Sequence, residues 1–180
     1  MGLTCVTAEF RNFPITPAKP ETIASLRAHP RFADAVRHSA AGLTKLHHGG
    51  RLLNWIMDDR GRMLFAYSAA YLDVSRDSGD PSSGLTPTRM KALCAEFDIC
   101  SPGRAIAMFS LMRAAGYLAL DPDASDRRRR RYVATGRLVD SIAARCRLHI
   151  GAMAPLFADG EMLQRATRNP LFIRALVRAM

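Results

Sequence analysis

Five consecutive arginines, Arg127, Arg128, Arg129, Arg130 and Arg131, follow closely on three aspartates, Asp121, Asp123 and Asp126. Five adjacent cations repel one another unless a polyanion or nearby carboxylates neutralise them. The guanidinium is a planar fork of donors whose geometry matches phosphate oxygens and the guanine edge. The aspartates can pair with one or two of the five. A strand alternates its sides, so Arg127, Arg129 and Arg131 should point opposite to Arg128 and Arg130. Only some then face one polyanion together, and the rest brace a hairpin against its acidic turn. Arginine runs also serve as solvated faces or targeting signals. A run at a hairpin tip beside a helix-turn-helix pattern favours DNA, with binding that falls steeply as salt rises.

The second chemical surface lies just upstream. Ser101-Pro102 opens a helix, with Ser as N-cap and Pro at the first helical position. Ala105, Met108, Phe109 and Met112 recur at i, i+3, i+4 and i+7 and form its buried stripe. The opposite face carries Ser101, Gly103, Arg104, Ile106, Ala107 and Ser110. These six, with Arg127 to Arg131, are the candidate DNA contacts. Arg104 sits in the first turn, where a recognition helix meets base edges. A bidentate bond to guanine O6 and N7 discriminates by about 1–3 kcal/mol. Ile106 can touch a thymine methyl, although isoleucine more often packs inside. Ser101 and the first-turn N–H groups suit a phosphate. Gly103 and Ala107 permit close approach but carry no hydrogen-bonding code. The expected readout is modest at the bases and large at the backbone. The plainer reading of Arg104 is a solvated helix residue.

These surfaces need a supporting frame, and the pattern of the chain supplies one. Residues 1–20 hold Pro14, Pro17 and Pro20 and read as an irregular arm. A short helix fits residues 21–29. Phe32, Val36, Ala40, Leu43 and His47 mark a longer one that ends at Gly49-Gly50. Residues 51–60 suit helix or strand. Met63, Leu64, Tyr67, Ala70, Tyr71 and Val74 mark a further amphipathic helix. The polar stretch after it reads as a linker over residues 77–87. Met90, Leu93, Cys94 and Phe97 form the next helical face, with Thr86 or Thr88 as N-cap. Gly116 ends the helix that Ser101 begins, residues 117–120 and 131–135 pair as strands, and a long helix starts at Gly136. The expected fold class is mainly α, a winged helix-turn-helix with a two-stranded β wing between N- and C-terminal helices. The expected regions are 1–76, helical, for dimerisation or an effector; 77–87, linker; 88–136, winged helix-turn-helix; and 137–180, terminal helices that dimerise.

The stretch Asp126-Arg127-Arg128-x-x-x-Tyr132-Val133-Ala134-Thr135 resembles the D-R-R-x-x-x-V-x-L-T wing signature of multiple-antibiotic-resistance-type (MarR) transcription regulators. Ser101-x-x-Arg104-Ala105-x-x-Met108-Phe109-x-x-Met112 with Gly116-Tyr117-Leu118 is similar to that family's recognition helix and its exit. Tyr132 and Ala134 stand where the signature has Val and Leu, and one helix expected before the turn is not visible in the pattern. The resemblance implies a homodimer on a pseudo-palindromic duplex site and a small acidic or aromatic effector. It also implies that Asp126 and Arg128 form the wing pair, with Arg127 to Arg129 on the DNA backbone or minor groove.

Composition agrees with a polyanionic partner. The net charge is +10, Arg far outnumbers Lys, and residues 101–149 hold ten Arg, four Asp and no Lys or Glu, which is +6 of that total. Apolar residues make up 48% of the chain, enough for a core. Cys5, Cys94, Cys100 and Cys146 lack C-x-x-C spacing, so thiols and not zinc are expected. His47-His48 and His149 have no ligand partners at metal spacing. No phosphate loop, dinucleotide fingerprint or hydrolase motif occurs, so no enzyme activity and no cofactor are expected. Trp55, Phe65, Tyr67 and Tyr71 suit core, dimer interface or an effector pocket. No apolar run is long enough to span a membrane, and the expected location is the cytoplasm. The expected function is a sequence-preferring double-stranded DNA-binding transcription regulator. The competing readings are a winged-helix nucleic-acid module of replication, plasmid maintenance or RNA association, and a protein-interaction module.

Overall fold

The computed structural model of the chain describes residues 19–47, 59–77, 80, 82–122, 130–169 and 177. Arg127, Arg128, Arg129, Asp123, Asp126, Trp55 and the Gly49-Gly50 stop lie outside them, as does the last expected helix apart from Val177. Among the described residues seven α-helices run in order: α1 (Pro20–Ala28), α2 (Phe32–His47), α3 (Arg60–Val74), α4 (Pro87–Glu96), α5 (Pro102–Ala114), α6 (Gly136–Met153) and α7 (Gly160–Ala166). Between α5 and α6 lies a hairpin of β1 (Leu118–Leu120) and β2 (Tyr132–Ala134), antiparallel with Leu118 opposite Ala134 and Leu120 opposite Tyr132. The protein is mainly helical with one small two-stranded sheet.

Local chemistry fixes the ends of the helices around the site. Asp59 caps α3 by accepting the Arg62 N–H at 2.8 Å, and the Thr86 hydroxyl caps α4 by accepting that of Arg89 at 3.2 Å. The Ser101 hydroxyl does the same for α5, from Arg104 N–H at 3.3 Å. Proline stands in the first turn of both α4 and α5. Helix α5 closes on Gly116 at φ +74, with Tyr117 N–H bonding back to Met112 C=O and Gly116 N–H to Arg113 C=O, both at 2.9 Å. That is the pattern in which a left-handed residue satisfies the last free carbonyls. Helix α4 closes the same way on Asp98, at φ 49, with Ile99 N–H on Cys94 C=O. An aspartate there accepts a conformation that glycine adopts more readily.

One core joins α3, α4, α5, the hairpin and α6. Phe65 and Leu72 of α3, Met90 and Cys94 of α4, Met112 of α5, and Leu138 and Ile142 of α6 are all buried within it. The buried stripe of α5 is Ala105, Met108, Phe109 and Met112, the four that the periodicity selects. Phe97, placed on the apolar face of α4 by spacing, stands past the helix end and is exposed.

Two further expectations need correction. The stretch expected to be a linker ends inside the core. Gly84 turns at φ +84, and Leu85 behind it is fully buried. Leu85 forms a β-bridge with Tyr132, accepting its N–H at 2.8 Å. The core therefore crosses the boundary expected at residue 76. The second correction concerns α2. Val36 and Ala40 face outward, while Phe32, Ala35, Ser39, Gly42 and Leu43 turn inward. Helix α2 lies along α6 closely enough that a Cβ on Gly42 would meet Leu148 Cδ1 at 2.4 Å. Small residues make that approach possible, so Ser39 and Gly42 turn inward beside Phe32 and Leu43 while Val36 and Ala40 of the expected stripe face out.

Candidate nucleic-acid interface

The outward face of α5 carries every residue expected on it. Ser101, Gly103, Arg104, Ile106, Ala107 and Ser110 are all exposed, against a fully apolar inner face. Ile106 is 50% exposed although apolar, and nothing lies within 4 Å of where a Cβ on Gly103 would stand. Arg104 is half exposed and has one acidic neighbour: its Nη2 lies 3.6 Å from Asp59 Oδ1. The same oxygen caps α3 and lies 3.7 Å from Arg62 Nε. The Arg62 N–H bond holds the Asp59 carboxyl below its usual range; partial desolvation opposes this, and the Arg62 and Arg104 charges lower it further.

The described arginines of the hairpin divide. Arg130 is exposed. Arg131, expected among the DNA contacts, is turned inward: its side chain is 12% exposed and its Nε donates to Asp121 Oδ2 at 2.7 Å. Arg76, just past α3, donates to the same oxygen from Nη1 at 3.0 Å. Asp121 is buried, and a buried carboxylate is stable only when cations compensate it. That need fixes Arg131 as a brace at the base of the hairpin, so it leaves the outward set. Arg127, Arg128 and Arg129 lie outside the described residues.

Between α5 and the hairpin runs a cleft of about 190 Å³. Pro87, Ile106, Phe109 and Tyr132 supply its apolar lining, and Ser110, Arg113 and Arg130 its polar groups. Tyr132 is buried, and Phe109 meets it edge to face with ring centroids 4.8 Å apart and planes at 75°. The Arg113 guanidinium lies over the Tyr132 ring, 5.0 Å from its centroid. Sequence reasoning missed Arg113. Its signal was there, because Ile106, Ser110 and Arg113 fall at i, i+4 and i+7 along the exposed side of α5. Arg137 ties the far end of α5 to α6, stacking on Tyr117 at 4.7 Å and donating to Ala115 C=O at 2.8 Å.

The remaining candidates have structural partners. The His149 ring nitrogen Nδ1 lies 3.0 Å from the Ser39 hydroxyl, and burial followed by the Arg145 charge lowers its pKa. Burial pushes the Cys94 thiol up to about 12, with Cys100 beside it adding to the shift, so Cys94 is a poor nucleophile. Burial likewise pushes Tyr67 to about 12, with Cys146 adding to the shift. Among the described residues no His, Cys, Asp and Glu cluster could hold a metal ion, and no helix is long and apolar enough to cross a membrane. Phe65, one of the aromatics considered for an effector pocket, is sealed in the core. A cavity of about 10 Å³ between α3 and α6, lined by Ala70, Asp73, Val74 and Ile142 among others, has room for no more than about one water. No family model, no curated protein and no solved structure matches the chain.

Proposed function

We propose that the protein is a sequence-preferring double-stranded DNA-binding regulator of transcription, built as a winged helix-turn-helix of the MarR-like kind. Helix α4 supports α5 from behind, α5 enters the major groove, and the arginine-bearing hairpin lies along the backbone or the minor groove. The order of elements supports this reading. Helix α3, the bridged segment at Leu85, α4, α5, the hairpin and α6 follow one another around a single core. The observation that carries it is the polar, small-residue face of α5, exposed along its whole length and continuous with a cleft that ends at Arg130 of the hairpin. Arg104 is the base reader, and Ser101 with the first-turn N–H groups meets phosphate.

Dimerisation is part of the same proposal. Met153, Phe157, Met162 and Leu163 are exposed together around the end of α6 and α7 and suit a second copy, which would set the spacing of two half-sites. An acidic or aromatic effector belongs to the proposal only as an extension from the family resemblance.

Selection of bound duplexes from a random pool, followed by anisotropy titrations, tests the reading. Arg104→Ala should relax preference at one base position and cost about 1–3 kcal/mol there. An unchanged preference removes Arg104 from base reading. A protein that retains no duplex above background removes the function altogether.

A further inference from the structure

The geometry points to the cleft between α5 and β2 as the seat of one phosphodiester of a DNA strand, held by Arg113 and Arg130 together and bonded by Ser110. The inference rests on the DNA-binding reading and adds to it a defined contact and a residue, Arg113, that the reading does not require. A body that fills the major groove with one part and follows the minor groove with another must straddle the strand between them. The depression between its two parts then faces that strand's sugar-phosphate chain. Here the depression has cationic groups on both walls, Arg113 from the helix and Arg130 from the hairpin.

The charges nearby make these two arginines distinct. Arg131 and Arg76 pair with the buried Asp121, and Arg62 and Arg104 each lie within 4 Å of the partly exposed Asp59. Among the described residues no carboxylate pairs with Arg113 or Arg130. Arg113 is also restrained: its guanidinium lies over the Tyr132 ring, 5.0 Å from the centroid, and a cation–π contact of this kind does not consume hydrogen-bond donors. A cation ordered before binding loses less rotamer freedom when the anion arrives. The floor is apolar. Phe109 is buried and Ile106 half exposed, so a deoxyribose resting there would exclude water and strengthen the ionic contact. Ser110, one turn before Arg113 on the same face, supplies a hydroxyl donor.

Because phosphate contact is sequence-independent, the test uses the full chain and a labelled random-sequence duplex, with anisotropy read across a salt series. Thermal melts establish first that each variant is folded. Arg113→Gln and Arg130→Gln should each weaken binding severalfold. The double variant should reduce the slope of log affinity against log salt by about 0.9, the contribution of one phosphate. Arg113→Lys keeps the charge and should keep the slope. Ser110→Glu changes an exposed residue without truncating any contact, and should weaken binding more than tenfold. A double variant with the wild-type slope overturns the seat, and so does Ser110→Glu with wild-type affinity; either result leaves the wider reading standing if the wild type binds. A fall of about 1.8 in the double variant means two separate phosphates and overturns the shared seat. A wild-type chain that does not bind duplex overturns both.

Discussion

Arg104 meets an acid before it meets any DNA. Its guanidinium lies 3.6 Å from Asp59, an oxygen that also caps α3. Both partners are open to solvent, which screens the pair and leaves it weak. Asp59→Asn keeps an oxygen able to cap the helix but removes the charge. On the DNA-binding reading, the variant's affinity for a random-sequence duplex should rise, by up to about fivefold. Anisotropy at low salt reads this directly, and an affinity equal to the wild type would show that the pair does not restrain Arg104. His149 makes a prediction about stability. Burial and Arg145 hold its pKa below the usual value of 6.5, so the unfolded chain takes up a proton more readily than the folded one. Its contribution is complete above about pH 6.5 and is lost as pH falls through the folded pKa. Melting temperatures at pH 7.5 and 5.5 should therefore diverge more for the wild type than for His149→Gln. Equal divergence would assign the acid sensitivity to other groups.

The hairpin depends on its buried base more than on its own short strands. Asp121 holds Arg131 and Arg76 at once, and removing one member of a buried pair strands the other charge. Asp121→Ala should cost about 3 kcal/mol, at the low end for such a loss because Arg76 keeps access to water. Chemical denaturation measures it, and a loss below about 1 kcal/mol would mean that Arg131 finds another partner. These elements also show what was legible in the sequence. Helix α5 was plain, because its apolar residues repeat at the helical period and Ser101-Pro102 and Gly116 mark its ends. The inner face of α2 was legible at Phe32 and Leu43 but hidden at Gly42, which packs against Leu148, and at Ser39, which meets His149, because neither carries an apolar signal. Leu85 was hidden for another reason: a one-residue bridge has no period, and its polar, glycine-bearing surroundings are those of a loop. Alternation along the strand did separate Arg130 from Arg131, but only the fold shows which of them turns inward.

The whole chain carries a net charge of +10, of which residues 101–149 supply +6. Concentrated cations of this kind draw a polyanion from a distance and let it go as salt rises. With the seat shared by Arg113 and Arg130 taken as one phosphate contact and the three arginines at 127–129 as about three more, the slope of log affinity on log salt should be about −3.6 per chain. Affinity for a random duplex should then fall roughly 150-fold between 50 and 200 mM salt. A titration across that range checks it, and a loss below about tenfold would rule out a backbone-dominated interface.

Tyr132 touches nearly everything that matters to the proposed contact. Its amide is tied to Leu85 ahead of α4, and its ring meets Phe109 and lies under Arg113 of α5. Folding therefore sets the gauge of the jaw, the distance from helix to hairpin, before any strand enters it. On the DNA-binding proposal, a duplex whose groove widths suit that gauge would be gripped without reshaping the protein, and one that does not would itself have to bend or widen. Some of the chain's discrimination would then lie in the stiffness of base steps that it never touches.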